Sequence, residues 1–235
     1  MNENNKKLSR LKMPIRNDGL KCSEEGYDKW HEEKGFGEEP EYYEMLGILL
    51  RGVRSVDIGC GSGFIEMFSP NTVGVDFSEE ALKIAKKNGA KYLVKAAAEK
   101  LPFKNDEFEI SLSNGVLEHC YDQKKAVSEM VRVSKTQILV VHAKLPFGIE
   151  YIRKPICRIF GLKDQPIEKP LNLREIEGML RIAGSRVLVR GVWNYIDLRW
   201  LWKKVPYGIL KIPSHYFIIA IKTKNMEKKF LGENL

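Results

Sequence analysis

Apolar positions recur along the chain with two different periods. Between residues 41 and 50, Tyr42, Met45, Leu46, Leu49 and Leu50 fall on one side of a helix. Beyond it, short runs rich in β-branched residues predict seven strands, at residues 53–58, 72–76, 91–95, 108–113, 137–142, 186–192 and 215–222. Helical stretches separate several of them: a short one after Gly63, then 78–88 with Ser78 as N-cap and Gly89 as stop, 122–133, and 172–183 ending at Gly184. Strands alternating with helices define an α/β fold, a doubly wound and mostly parallel sheet covered on both faces. The stretch 193–214 is long for a crossover yet carries Pro206, Gly208 and Pro213, which predicts an antiparallel last strand.

The ends of the chain break this pattern. Residues 1–21 are polar and basic, whereas residues 24–44 hold nine acids against Lys29 and Lys34, with Gly26, Gly35, Gly37 and Pro40 interrupting any long helix. The expected organisation is a flexible arm over 1–40, one domain over 41–225 whose 143–214 portion includes insertions, and a tail over 226–235. No apolar run exceeds the five residues from Phe217 to Ile221, far below the roughly 18–20 of a membrane-spanning helix. The early basic residues are followed by no apolar stretch, so no secretory signal is read and a cytoplasmic location is expected.

Composition narrows the class further. A chain of 235 residues with 43% hydrophobic and 30% charged side chains has the make-up of a globular domain, which excludes disordered and collagen-like architectures. The net charge of +8 is uneven: residues 1–142 carry −2 and residues 143–235 carry +10. Such an asymmetry bears on partners rather than on fold. Cys22, Cys60, Cys120 and Cys157 form no C-x-x-C pair, and His31, His119, His142 and His215 are equally scattered. No metal-ligand cluster is read from them, and a disulfide framework is not expected.

The stretch Val56-Asp57-Ile58-Gly59-Cys60-Gly61-Ser62-Gly63-Phe64 begins in a predicted strand and ends where a helix should start. Its glycines permit positive φ and close approach of a ligand to the backbone, and the helix start offers unpaired N–H groups. A dinucleotide fingerprint needs glycine at position 64, which is Phe64. The acid at Asp57 would repel a pyrophosphate and attract an ammonium or sulfonium. A second acid, Asp76, ends the strand Val73-Gly74-Val75-Asp76-Phe77, 19 residues beyond Asp57, close to the spacing at which a carboxylate reaches a ribose diol. An N-cap or a surface turn acid is the alternative reading of Asp76.

These residues resemble the class I S-adenosylmethionine-dependent methyltransferases, especially the broad group that includes ubiquinone and menaquinone methyltransferases. The resemblance covers roughly residues 24–142 and rests on four segments in order: Asp57 to Gly63, Val73 to Phe77, Ala97-Ala98-Glu99-Lys100-Leu101-Pro102-Phe103, and Ser113-Asn114-Gly115-Val116-Leu117-Glu118-His119. It implies a Rossmann-like sheet, a methyltransferase activity and S-adenosyl-L-methionine as methyl donor, with S-adenosyl-L-homocysteine as product. By the same resemblance Gly59, Gly61 and Gly63 would hold the methionine portion with Asp57 towards its ammonium. Asp76 would bind the ribose hydroxyls, Phe77 would pack on the adenine, and Ala98 and Glu99 would contact the adenine edge. Asn114 and Gly115 would line the pocket beneath the methyl donor. Where the family often has Asp-Ala-Glu, this chain has Ala97-Ala98-Glu99, so the usual acceptor for the adenine amino group is missing.

Methyl transfer from a sulfonium is an in-line displacement, for which positioning is the main requirement and a general base is optional. Glu118 and His119 are the candidate bases; a helix-start acid beside a packed imidazole is the competing reading. Tyr27 and Trp30 in the arm resemble a Tyr-x-x-Trp stretch that forms part of a lid in this group. Residues 144–160 and 193–204 mix aromatic and cationic side chains, which suits a small amphipathic or anionic acceptor or peripheral contact with acidic lipid. They also suit RNA, although no appended RNA-binding module or Asn-Pro-Pro-Tyr tetrad accompanies them. A cofactor-binding module without catalysis is the remaining alternative. Oligomeric state is not legible.

Overall fold

The computed structural model describes residues 40–144, 169–197 and 211–223. Helix α1 (Pro40–Leu50) opens on Pro40, tolerated where a helix has no intrahelical partner for its N–H. It is followed by β1 (Ser55–Ile58), α2 (Phe64–Phe68), β2 (Val73–Asp76), α3 (Glu79–Lys87), β3 (Tyr92–Lys95) and β4 (Phe108–Asn114). A single 3-10 turn at Leu117–His119 precedes α4 (Gln123–Val133) and β5 (Ser134–His142). Helix α5 (Leu173–Ile182) and the strands β6 (Ser185–Asp197) and β7 (Lys211–Lys222) complete the domain.

The strands form one sheet in the order β3-β2-β1-β4-β5-β7-β6. The first five are parallel, and β7 is antiparallel to both β5 and β6. This is the doubly wound, Rossmann-like sheet expected, with the direction reversed at its C-terminal end. Alternation along β5 shows why both faces are covered. Leu139 and Val141 join the cluster containing Ile58, Val127, Met130, Ile176 and Leu180, while Ile138 and Val140 join Leu46, Leu50, Ile65 and Leu112. One face therefore packs on α4 and α5, and the other on α1 and α2.

Helix boundaries follow local chemistry. Ser78 caps α3 by accepting from Ala81 N, Asp122 caps α4 by accepting from Lys125 N, and Asn172 and Glu175 form a capping box on α5. Four details differ from the sequence expectation. Leu49 of α1 is 38% exposed rather than on the buried side. Strand β5 begins at Ser134, because Phe108 of β4 pairs with Ser134 before the apolar run starts. Strand β6 runs on to Asp197. Pro213, read as a breaker, lies inside β7 opposite Tyr195; β7 pairs with β5 only from His215 onward, so at Pro213 no second strand needs its missing N–H. The arm, the segment 145–168, the stretch 198–210 and the tail beyond 223 lie outside the described residues.

Candidate cofactor site

Parallel strands bring their carboxyl ends to one edge, and the loops there line an open pocket. Gly59, at φ 81°, turns the chain away from β1. The amides of Gly59 and Cys60 both donate to Val75 O, at 2.7 and 3.0 Å, tying the glycine-rich loop to β2. Any side chain at position 59 would stand 2.2 Å from Val116 Cγ2, so glycine is required both by backbone conformation and by the close approach of the β4 loop. Gly63 has a different duty. It starts α2 in the left-handed region, and a Cβ there would lie 2.8 Å from that of Ala85, so its smallness lets α2 sit against α3.

Asp76 is 7% exposed and fixed at both oxygens: Gly61 N donates to Oδ2 at 3.0 Å and Ser78 N to Oδ1 at 2.9 Å. Each carboxylate oxygen keeps further acceptor capacity for a ligand hydroxyl. Phe77, Ala98, Glu99 and His119 join Asp76 and Gly59 around the pocket, with Ala96, Ala97 and Tyr121 beside them. Glu99 Oε1 accepts from the amides of Tyr121 and Asp122, which joins the β3 loop to the start of α4.

Asp57 lies under this surface, 1% exposed, with Oδ1 lacking a hydrogen-bond partner. Burial, then the charges of Glu66 and Asp76, push its carboxyl well above the ordinary range. A buried acid with an unused oxygen below a glycine loop suits a cationic amino group and disfavours a pyrophosphate. Acid at Asp57, hydroxyl acceptors at Asp76 and an apolar slot between Phe77 and Ala98 together fit S-adenosylmethionine.

The two candidate bases separate. His119 is half-buried and lines the pocket. Glu118 is fully buried and turns towards β5, where its Oε1 accepts from His142 N at 3.3 Å and lies 3.6 Å from His142 Nε2. Burial raises its carboxyl to about 7. Asn114 accepts a hydrogen bond from the Tyr42 hydroxyl of α1, and Gly115 follows it at φ 66°. Neither lines the pocket above. Tyr27 and Trp30 lie outside the described residues. The sequence reading missed Glu66, Tyr42 and His142, whose roles depend on which neighbours the fold supplies.

Comparison with known proteins bears on the family and the fold. Residues 56–141 match the model of the Methyltransferase domain family. An uncharacterised protein of Methanocaldococcus jannaschii is 40% identical over 112 residues, 47% of this chain and 53% of its own length. The malonyl-[acyl-carrier protein] O-methyltransferase of Buchnera aphidicola is 29% identical over 221 residues, 86% of this chain and 87% of its own. Among solved structures, the magnesium protoporphyrin IX methyltransferase of Synechocystis with bound S-adenosylhomocysteine has TM-score 0.59 and 16% identity, covering 84% of this chain and 94% of that one. An S-adenosylmethionine-dependent methyltransferase from Mesorhizobium loti has TM-score 0.56 and 17% identity, covering 78% and 97%. These structural likenesses are likenesses of fold. The match over residues 56–141 is to a methyltransferase domain, and the fold is one shared with S-adenosylmethionine-dependent methyltransferases. It spans about half the length of the first curated relatives it matches.

Proposed function

We propose that the protein is an enzyme that transfers a methyl group from S-adenosylmethionine to a small amphipathic or anionic acceptor. The observation that carries this reading is the joint placement of Asp76, held by Gly61 and Ser78, and of Asp57, buried with an unused oxygen beneath the same loop. When bound, the cofactor would supply an electrophilic methyl on sulfonium, which passes in line to the acceptor as the thioether of S-adenosylhomocysteine leaves. Asp57 provides negative charge for the ammonium, and the Gly59–Gly63 loop carries the methionine portion. Asp76 accepts from the ribose hydroxyls. Phe77 and the backbone at Ala98 flank the adenine, with Glu99 holding that wall in place through Tyr121 and Asp122.

Catalysis then rests on alignment and exclusion of water. Glu118 is withdrawn from the pocket and serves the fold, which leaves His119 as the better placed of the two candidate bases. An acceptor that is already ionised needs neither. The +10 surplus of residues 143–235 supports an anionic acceptor, and the Buchnera relative is named for O-methylation of malonyl-[acyl-carrier protein]. Tyr27 and Trp30 are the proposed lid. The segments rich in aromatic and basic residues are the proposed acceptor face, including any contact with acidic lipid.

Calorimetry with S-adenosylhomocysteine tests the cofactor site, and a metabolite and lipid extract incubated with protein and S-adenosylmethionine tests the acceptor class. A new product heavier by one methyl group is expected. Absence of S-adenosylhomocysteine binding would overturn the reading; binding without turnover on any extract fraction would favour the non-catalytic module, and salt-sensitive methylation of RNA would favour the nucleic-acid alternative.

A further inference from the structure

Two buried acids lie under the glycine-rich loop. Asp57 on β1 and Glu66 on α2 are each 1% exposed. They meet at Gly74 of β2, which is the register partner of Asp57. A Cβ on Gly74 would stand 2.9 Å from Glu66 Oε1 and equally close to Cys60 Sγ, so the glycine makes the room that Glu66 occupies. Among the described residues, neither acid is paired with a Lys, Arg or His. As two carboxylates neither could donate to the other, and Asp57 Oδ1 and both Glu66 oxygens would lack any partner. A proton on one of them turns their contact into a hydrogen bond. Two adjacent carboxyls away from water do not both ionise readily.

We propose that Asp57 and Glu66 hold one proton between them, and that Glu66 is thereby a positioning residue that fixes the Asp57 carboxylate towards an ammonium-bearing ligand on the glycine-rich loop. The inference rests on the cofactor reading above. With one proton the pair carries a single negative charge. A ligand ammonium draws that charge onto Asp57 and the proton onto Glu66, which then donates to Asp57; the two titrate as a unit. The other titratable groups facing the pair are Cys60 of the loop, whose thiol burial pushes up and keeps neutral, and Asp76 at the end of β2, whose charge raises both acids. From α1, Tyr43 packs on Phe64.

Burial holds Glu66 at about 7 and Asp57 well above its ordinary range. Below about pH 7 the pair takes up its second proton and loses the charge that the ammonium needs. The affinity for S-adenosylhomocysteine should then fall by up to about tenfold for each pH unit. Glu66→Gln presents an amide that donates to Asp57 at every pH and removes one of the charges that raise it, so its affinity should fall less between pH 8 and 5.5 than that of the wild type, which loses about tenfold or more.

Calorimetry with S-adenosylhomocysteine on both proteins at the two pH values reads this difference. Parallel profiles would overturn the shared proton, as would wild-type binding that is indifferent to pH; both leave the cofactor site standing. A wild type that never binds overturns the cofactor reading instead. Carboxyl carbon-13 NMR of the ligand-free wild type tests the pair without ligand or variant. Ionisation of both acids in the ordinary range near 4 would refute the inference, and a step near or above 7 supports it.

Discussion

Replacing Glu118 by Gln should make the domain more stable at pH 8 and leave it nearly unchanged at pH 4. Glu118 is 0% exposed, its Oε1 accepts from His142 N, and its Oε2 has no hydrogen-bond partner. Burial raises the carboxyl from 4.5 to about 7. The native state therefore binds this proton more tightly than the unfolded chain. Its stabilising contribution is full below about pH 4.5 and is lost as the pH rises to about 7. Converted at about 1.4 kcal/mol per pH unit, the loss is about 3 kcal/mol. Glutamine copies the shape of the protonated acid and cannot ionise. Urea unfolding of both proteins at pH 4, 5, 6, 7 and 8 should give nearly coincident curves at the acid end and a gap that opens to about 3 kcal/mol at the alkaline end. In thermal unfolding this corresponds to roughly 6–12 °C for a domain of this size. Glu66, also raised to about 7, adds to the slope of both proteins and cancels in the difference. A gap independent of pH, or a variant less stable than wild type at pH 8, would mean that Glu118 is ionised and paired in the native state, and would refute the argument.

Three further substitutions address the pocket and the loop that follows β3. Asp76→Ala removes the acceptor for Gly61 N and Ser78 N together with the proposed ribose contact, and should weaken S-adenosylhomocysteine binding by about 1–3 kcal/mol in calorimetry; unchanged affinity would remove Asp76 from the site. Gly59→Ala meets both a φ of 81° and a contact of 2.2 Å with Val116 Cγ2; it should lower the melting temperature and abolish binding, and Gly59→Ala with Val116→Ala should recover part of the stability but not the cost of the backbone conformation. Arg132→Ala frees the carbonyls of Leu101 and Phe103 and leaves Glu129 without its partner; a stability loss of about 1–3 kcal/mol is expected, with hydrogen exchange quickening first across residues 101–106.

Much of the architecture was readable because the signals were local and agreed with one another. Strands alternating with helices implied cover on two faces, which the two clusters on either side of β5 supply. Ser78 stood at the N-cap that the structure confirms, while Asp122 and Asn172, read as first helical residues, are the caps of helices that begin one residue later. The reversal of β7 was inferred from the length of the preceding connection. What escaped was what depends on pairing. Ser134 joins β5 because Phe108 lies opposite, and Pro213 is tolerated inside a strand because β5 has already ended beside it. Neither fact has a local signature.

The site divides in the same way, and the division has a physical reason. That Gly59, Asp57 and Asp76 come together could be read because strand ends in a parallel sheet converge, so a motif at one strand end constrains the next. Glu66 and Glu118 could not be placed in this manner, since each looks like an ordinary helix-start acid until the fold removes water from around it. Glu66 is buried because Gly74, on a different strand, leaves it space. Glu118 is buried because the turn after β4 folds it under β5. The same burial has different consequences at the two positions. Glu118 faces a backbone amide, so its proton chiefly tunes stability with pH. Glu66 faces another acid that borders a ligand loop, so its proton decides whether that acid is charged. A single sequence feature, an acid near the start of a helical turn, thus produces a stability effect in one place and a binding effect in the other, and only the identity of the facing group distinguishes them.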